Sequence, residues 1–229
     1  MSNQSPQYIL GIDTSSSILR LGVRFGGDRI VQLREEVGRS HGEVLIPKIA
    51  DLLASAGIER NKLSAIVVCT GPGSFTGLRL GLAAAKGMAV VLNIPVIGVD
   101  LFEVAARRLR SRANEVDIVI PLNRDECFLA TVDRGTYEKS SVRTVRYDDL
   151  VAATGRKQVA GFGIDPGIRF PELVNRIVSD RIDFEAADLI QLGIEKLQAT
   201  ETIEPAELEP LYIQKSQAEI RFEQRQRKK

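Results

Sequence analysis

Three stretches of the chain carry residue types that could do chemistry. Asp13-Thr14-Ser15-Ser16-Ser17 sets one carboxylate beside four hydroxyls, an acid at a turn. Gly71-Pro72-Gly73-Ser74-Phe75-Thr76-Gly77 is a glycine loop leading into an apolar helix. The free N–H groups at the start of such a helix point back into the loop and could hold a phosphate. The third is His41, the only histidine. The glycine loop lacks the Lys-Ser/Thr end of a P-loop, since Leu78-Arg79 stands there, and its glycines at 71, 73 and 77 do not match G-x-G-x-x-G. Two readings stay open at this level: an anion cradle, or a tight strand-to-helix turn without a ligand.

Composition removes several other chemistries. One histidine and two separated cysteines cannot make a zinc site of the usual types, and a proton relay would rest on His41 alone. No metal is expected. Tryptophan is absent and aromatics are 5% of the chain, which argues against a base-stacking RNA platform. Lys and Arg, 31, balance Asp and Glu, 30, so no global field favours nucleic acid. The tail is locally basic, with Arg221, Arg225, Arg227, Lys228 and Lys229 against Glu223, and reads as a solvated end or an RNA contact. Cys69 and Cys127 lie in apolar strands and read as buried thiols rather than a disulfide. No apolar run reaches transmembrane length and Met1 to Gln7 has no signal-peptide character, so the expected location is cytoplasmic, away from membranes.

The elements that must position these residues can be read from periodicity. Ala65 to Cys69 is a continuous apolar run, as in a strand covered on both faces. Ser74 is placed to cap the helix running to Leu92. Tyr8 to Ile12 forms a strand, and Leu19, Leu21, Val23 and Phe25 alternate as a second. Gly26-Gly27-Asp28 makes a hairpin turn into a third strand, Ile30 to Val37. Ser40 and Glu43 have capping-box spacing before a helix that carries Leu45, Ile46, Ile49, Leu52 and Leu53 at helical spacing and stops at Gly57. Pro95 to Val99 is a fifth strand.

The order β-β-β-α-β-α-β resembles the RNase-H-like arrangement and would bring Asp13–Ser17 and Gly71–Thr76 to one cleft. A helix through Val104 to Arg112 follows. The same grammar then restarts, with strands at Val116–Leu122, Cys127–Val132, Tyr137–Val145 and Gln158–Gly161, and helices over Pro171–Val178 and Glu185–Ala199. The expectation is an α/β, two-lobed chain of duplicated βββαβα units. Its parts would be an N-terminal lobe over residues 1–107, a smaller divergent lobe over 108–204, and a C-terminal segment and basic tail over 205–229.

Gly77, Gly81, Ala85 and Ala89 recur every fourth residue along one line of the second helix. A helical glycine costs about 1 kcal/mol relative to alanine. A line of small residues lets another backbone approach more closely than the usual spacing. The neighbour is either within this chain or on a partner protein.

With these pieces together the chain resembles the bacterial TsaB (YeaZ) family of threonylcarbamoyladenosine-biosynthesis proteins, of the actin/Hsp70-like (ASKHA) superfamily historically grouped with M22 glycoproteases. The matching runs are Gly11-Ile-Asp-Thr-Ser15, Ser40-His-Gly-Glu-x-Leu-x-Pro47, Gly71-Pro-Gly-Ser-Phe-Thr-Gly-Leu-Arg79, Ile94-Pro-Val-Ile-Gly98 and Glu209-Pro-Leu-Tyr212. The related catalytic subunit, TsaD, has Asn-His-x-x-x-His after its fifth strand, whereas Leu101 and Ala105 stand at those histidine positions here. The second lobe also departs from the family, with Pro121-Leu-Asn-Arg-Asp-Glu-Cys-Phe128 where Asp-Ala-Arg-x-x-Glu-Val-Tyr is usual.

The resemblance implies an accessory, non-catalytic subunit of the complex that forms N6-threonylcarbamoyladenosine at position 37 of ANN-decoding tRNAs. Its implied partners are a TsaD-like paralogue, a TsaE-like ATPase and, through the complex, tRNA, with a homodimer in isolation as a further expectation. It places TsaD against the first-lobe helices, with His41, Leu45, Thr76, Gly77, Leu78, Gly81 and Ala85 as the contact residues. Asp13, Thr14, Ser15, Gly71, Gly73 and Ser74 become a vestigial nucleotide cleft. No cofactor is expected, and any ATP or ADP binding would be weak and a property of the complex. The competing reading is an ATP-binding, small-molecule kinase-like enzyme of the same superfamily. An M22-type protease has no visible nucleophile or metal constellation to support it.

Overall fold

The computed structural model describes residues 8–110, 114–163, 169–200, 204–211 and 213. The basic tail from Arg221 to Lys229, the N-terminal Met1–Gln7 and Tyr212 lie outside them. Two five-stranded mixed sheets form the frame. The first contains β1 (Ile9–Asp13), β2 (Ile18–Phe25), β3 (Arg29–Glu36), β4 (Ala65–Gly71) and β5 (Val96–Asp100), in the order β3-β2-β1-β4-β5. The second contains β6 (Glu115–Pro121), β7 (Glu126–Asp133), β8 (Arg143–Arg146), β9 (Gln158–Phe162) and β10 (Ile177–Ile182), in the order β8-β7-β6-β9-β10. Each sheet is an antiparallel meander continued by two parallel strands, so the duplication expected from the sequence is present in the topology.

The helices are α1 (His41–Ser55), α2 (Phe75–Leu92), α3 (Leu101–Leu109), α4 (Leu150–Thr154) and α5 (Ala186–Gln198). α1 and α2 cover one face of the first sheet, where Leu45, Ile49, Leu52 and Leu82 pack on Leu10, Ile12, Leu21 and Val68. α3 and α5 lie in a core shared between the sheets, joining Ile9 and Val67 of the first to Ile118 and Phe162 of the second through Phe102, Leu189 and Ile190. The outer face of the second sheet is covered by Tyr147, Leu150 and Leu173. Cys69 and Cys127 are free buried thiols, and burial pushes both thiol pKa values up, Cys127 to about 11.

The chain does not divide in space where the sequence suggested. α5, from the 108–204 stretch, lies on the first sheet: a Cβ on Gly11 would sit 2.7 Å from Ile190, and one on Gly22 2.8 Å from Ala186. Leu208, from the 205–229 stretch, is buried in the first lobe's α1–α2 core, and Leu211 N–H donates to Thr70 O at 2.8 Å. Burying such a side chain contributes about 2 kcal/mol, so this segment is fastened to the first lobe.

Local expectations changed where tertiary contacts intervened. Tyr137–Val145 is not one strand, because only Arg143–Arg146 pairs, with β7. Tyr137 instead turns toward the first sheet, where its ring lies 5.3 Å from Phe102 and its hydroxyl donates to Asp100 Oδ2 at 2.5 Å. Burial raises both the Asp100 carboxyl and the Tyr137 phenol, so the proton between them is held. The stretch 171–178 is a 3₁₀ turn, Pro171–Arg176, followed by the edge strand β10, because pairing with β9 overrides the apolar spacing. Ser40 precedes α1 without a side-chain capping bond, so the expected box there does not form. Boxes form instead at Asp100–Glu103 and Glu185–Asp188.

By length and mean hydropathy, 1.4, α2 could cross a membrane, which qualifies the expectation that no run is long enough. Its buried line on the first sheet, with Arg79 and Lys86 on its other faces, fits a core helix of this lobe.

Candidate functional site: the cleft and the helix face

The structure brings the two candidate loops together, but they are joined to each other. Ser15 O accepts from Ser74 N–H at 2.7 Å, and Thr14 Oγ1 donates to Gly77 O at 2.7 Å. Ser74 caps α2 as expected, its hydroxyl accepting from Gly77 N–H at 3.2 Å. The glycines have a steric reason. A Cβ on Gly73 would lie 2.2 Å from Ser15 O, one on Gly77 2.1 Å from Thr14 O, and one on Gly81 2.3 Å from Thr14 Oγ1. Gly71 holds φ +116°, which favours glycine at the end of β4. The Asp13–Ser17 turn packs directly against the glycine loop and α2 at Gly73, Gly77 and Gly81.

Asp13 is fully buried at the end of β1. Its Oδ1 accepts from Ser15 N–H at 2.9 Å and its Oδ2 from Arg20 Nη1 at 3.0 Å. Arg20 stands directly opposite Asp13 in the β1–β2 register, so the pair is built by the hairpin itself. A carboxylate committed in this way is a structural anion rather than a free cation ligand. Beside it lies a cleft of about 360 Å³ between the sheets, with Ser16, Ser17 and Gly73 at the rim and Leu101, Phe162 and Phe184 on the floor. Arg20 was not singled out in the sequence, although strand alternation placed it two residues from Gly22 on the same face as Asp13.

The helix residues expected to meet a partner face inward, with one exception. His41, Leu45, Leu78 and Ala85 are buried, and Gly77 and Gly81 press on Thr14, so the close neighbour of the small-residue line is this chain's own β1 turn. Only Thr76 is exposed. This corrects the outward assignment of Leu45, Gly77, Leu78, Gly81 and Ala85. His41 begins α1 with its Nε2 unpartnered among the described residues.

The open surface is the opposite side of the same helices. Ile46 on α1 is 54% exposed, and Val90 and Val91 on α2 are 67% and 83% exposed. Between them runs a groove of about 330 Å³ lined by Ile46, Ala50, Gly87, Met88 and Val91. A Cβ on Gly87 would meet none of the described residues within 4 Å, so this glycine leaves a depression. Ile46, expected on the same apolar stripe as Leu45 and Ile49, instead faces outward, and Val90 and Val91 lie off the glycine line that was the stronger pattern in α2.

Residues 33–142 match the family model described as TsaD, tRNA N6-adenosine threonylcarbamoyltransferase. The chain is 29% identical to the tRNA threonylcarbamoyladenosine biosynthesis protein TsaB of Haemophilus influenzae over 55% of its own length, an alignment that spans only 54% of that protein. It is 31% identical to an uncharacterized protein of Mycobacterium bovis over 73% of this chain and 72% of the other. Against Escherichia coli TsaB it is 25% identical, over 92% and 96% of the two chains. The fold is that of YeaZ from Pseudomonas aeruginosa, with a TM-score of 0.70 at 24% identity over 90% of this chain and 99% of that one. The chain belongs to the TsaB (YeaZ) family, with the two-lobed α/β fold of YeaZ.

Proposed function

We propose that this chain is a non-catalytic, cytoplasmic subunit of the assembly that forms N6-threonylcarbamoyladenosine on tRNA, and that it binds a TsaD-like catalytic paralogue. The observation that carries the reading is the contrast between two candidate loops bonded to each other and to Arg20, and an apolar helix face left exposed. Ile46, Val90, Val91 and the Gly87 depression give a partner helix an apolar seat whose burial supplies the association energy. The contact set for TsaD is therefore revised from the buried glycine line to this outer face. Thr76, exposed at the start of α2, is the one originally expected contact that remains on the surface.

Asp13, Thr14, Ser15, Gly71, Gly73 and Ser74 form the vestigial cleft of this reading, supported by the bonds that tie Asp13 to Ser15 and Arg20, Thr14 to Gly77 and Ser74 to Ser15. Nucleotide, the TsaE-like ATPase and tRNA are then engaged by the complex rather than by this chain alone. Because the outer helix face is apolar, it also provides a seat for a second copy when the paralogue is absent.

The test is co-expression with the TsaD-like paralogue, followed by tRNA modification with purified components. The expected result is a stable heterodimer and loss of modification when this chain is omitted. Full modification without it would overturn the proposal.

A further inference from the structure

Asp13, Arg20 and Arg34 stand in register across three adjacent strands, β1, β2 and β3. Arg20 is almost fully buried, and all three guanidinium nitrogens are engaged. Nη1 donates to Asp13 Oδ2 at 3.0 Å, Nη2 to Asp183 Oδ1 at 3.3 Å, and Nε to Phe184 O at 3.0 Å. Nη1 also lies 3.4 Å from Ser16 Oγ. The guanidinium rests 4.3 Å from the centroid of the Phe184 ring, which packs 5.1 Å from Phe162 on β9. Arg34 reaches the other oxygen of Asp183 at 3.0 Å and Glu185 at 3.7 Å.

These contacts form one continuous path. It starts at the acid of the first sheet, passes through Arg20 to residues 183–184, where the chain leaves β10 for α5, and ends on the second sheet at Phe162. In a two-lobed fold with a carboxylate at the mouth of the cleft, a bound cation and its anionic ligand are one way to draw the lobes together. Here a covalently attached cation occupies the carboxylate and grips the segment that leaves the other lobe's β10. Arginine suits the position because its rigid fork can serve several acceptors at once and stack on a ring. A lysine ammonium would meet Asp13 but could not reproduce the fork. Arg34, Asp183 and Glu185 are partly exposed, so water screens their ion pairs. The buried Arg20–Asp13 pair anchors Arg20 on the first sheet. The hold on the other lobe rests on the buried bond to Phe184 O and the stacking on the Phe184 ring.

We infer that Arg20 is an internal tie that holds the two lobes closed about the cleft without a bound cation or nucleotide. The actin-like frame is thereby kept in one arrangement, and the helix face on the first lobe is presented by a rigid body. The inference does not depend on which protein that face binds.

Double electron–electron resonance on the full chain tests it. Spin labels are placed at introduced cysteines replacing Lys62 on the first lobe and Asp148 on the second, both exposed, while Cys69 and Cys127 are buried. The expected result is one narrow interlobe distance that magnesium-ATP leaves unchanged. Arg20→Met should lose the narrow peak and shift it to longer distance. Arg20→Lys, which keeps a cation beside Asp13 and so protects the fold, should broaden it. A broad distribution in the unsubstituted chain, or one that sharpens with magnesium-ATP, would overturn the inference. So would a folded Arg20→Lys variant whose distribution superimposes on the original, whether or not Arg20→Met folds.

Discussion

The two sides of α2 carry similar residues and do opposite things. On the inner side Gly77, Gly81 and Ala85 make room for Thr14 and the sheet beneath it. On the outer side Gly87, Met88 and Val91 line a groove in which none of the described residues sits against a Cβ placed on Gly87. A small residue marks a close approach only when something approaches. The inner glycines are required by this chain's own turn, whereas the outer glycine leaves space that the folded chain does not use.

The inner side should break hardest. Asp13→Ala would leave the Arg20 guanidinium buried without its main counter-charge, and removing one member of a buried pair costs about 3–5 kcal/mol. Urea denaturation should show a loss of that order. A variant as stable as the parent would mean that the cleft is wetter and looser than its hydrogen bonds indicate.

A matched pair of glycine substitutions sharpens the contrast at intermediate cost. Gly81→Ala must displace Thr14, whose Oγ1 lies 2.3 Å from the new Cβ, so a destabilisation of about 1–3 kcal/mol is expected. Gly87→Ala adds a methyl in open space on the same helix and should stabilise by up to about 1 kcal/mol through helix propensity. Thermal melts of the two variants should move in opposite directions. Equal shifts would remove the distinction between the faces.

The smallest effect on stability belongs to the outer valine. Val91→Asp places a charge at a site already 83% exposed, and its change in folding stability should stay within about 0.5 kcal/mol. Capture of the TsaD-like paralogue should nevertheless fall, because a carboxylate would have to be desolvated in an apolar seat. Titration calorimetry beside a denaturation curve separates the two readouts. Unchanged capture would move the partner surface elsewhere on the chain.

Much of the frame was legible because it rests on local rules. Val and Ile runs gave the first five strands, Ser74 announced the start of α2, and Gly57, with φ +68°, marked the end of α1. The loop motifs carried the family resemblance and were brought to one cleft as expected. The second lobe was harder to read. Its β8 and β10 are short or edge strands, whose identity comes from pairing with β7 and β9 rather than from their own alternation.

What the sequence determined by itself was periodicity: which residues share a strand face or a helix line, and where the backbone must turn. That was enough for the order of elements and for placing an acid beside a glycine loop. The tertiary structure decided which of those lines is covered. A helix with apolar residues on more than one side can bury either, and the choice falls to the sheet that packs against it. It also decided what Arg20 does beyond its hairpin pairing with Asp13, because the carbonyl that Arg20 Nε reaches belongs to Phe184, 164 residues further along the chain. No local pattern encodes a contact of that separation. It exists because α5 returns to the first sheet and carries the end of β10 with it.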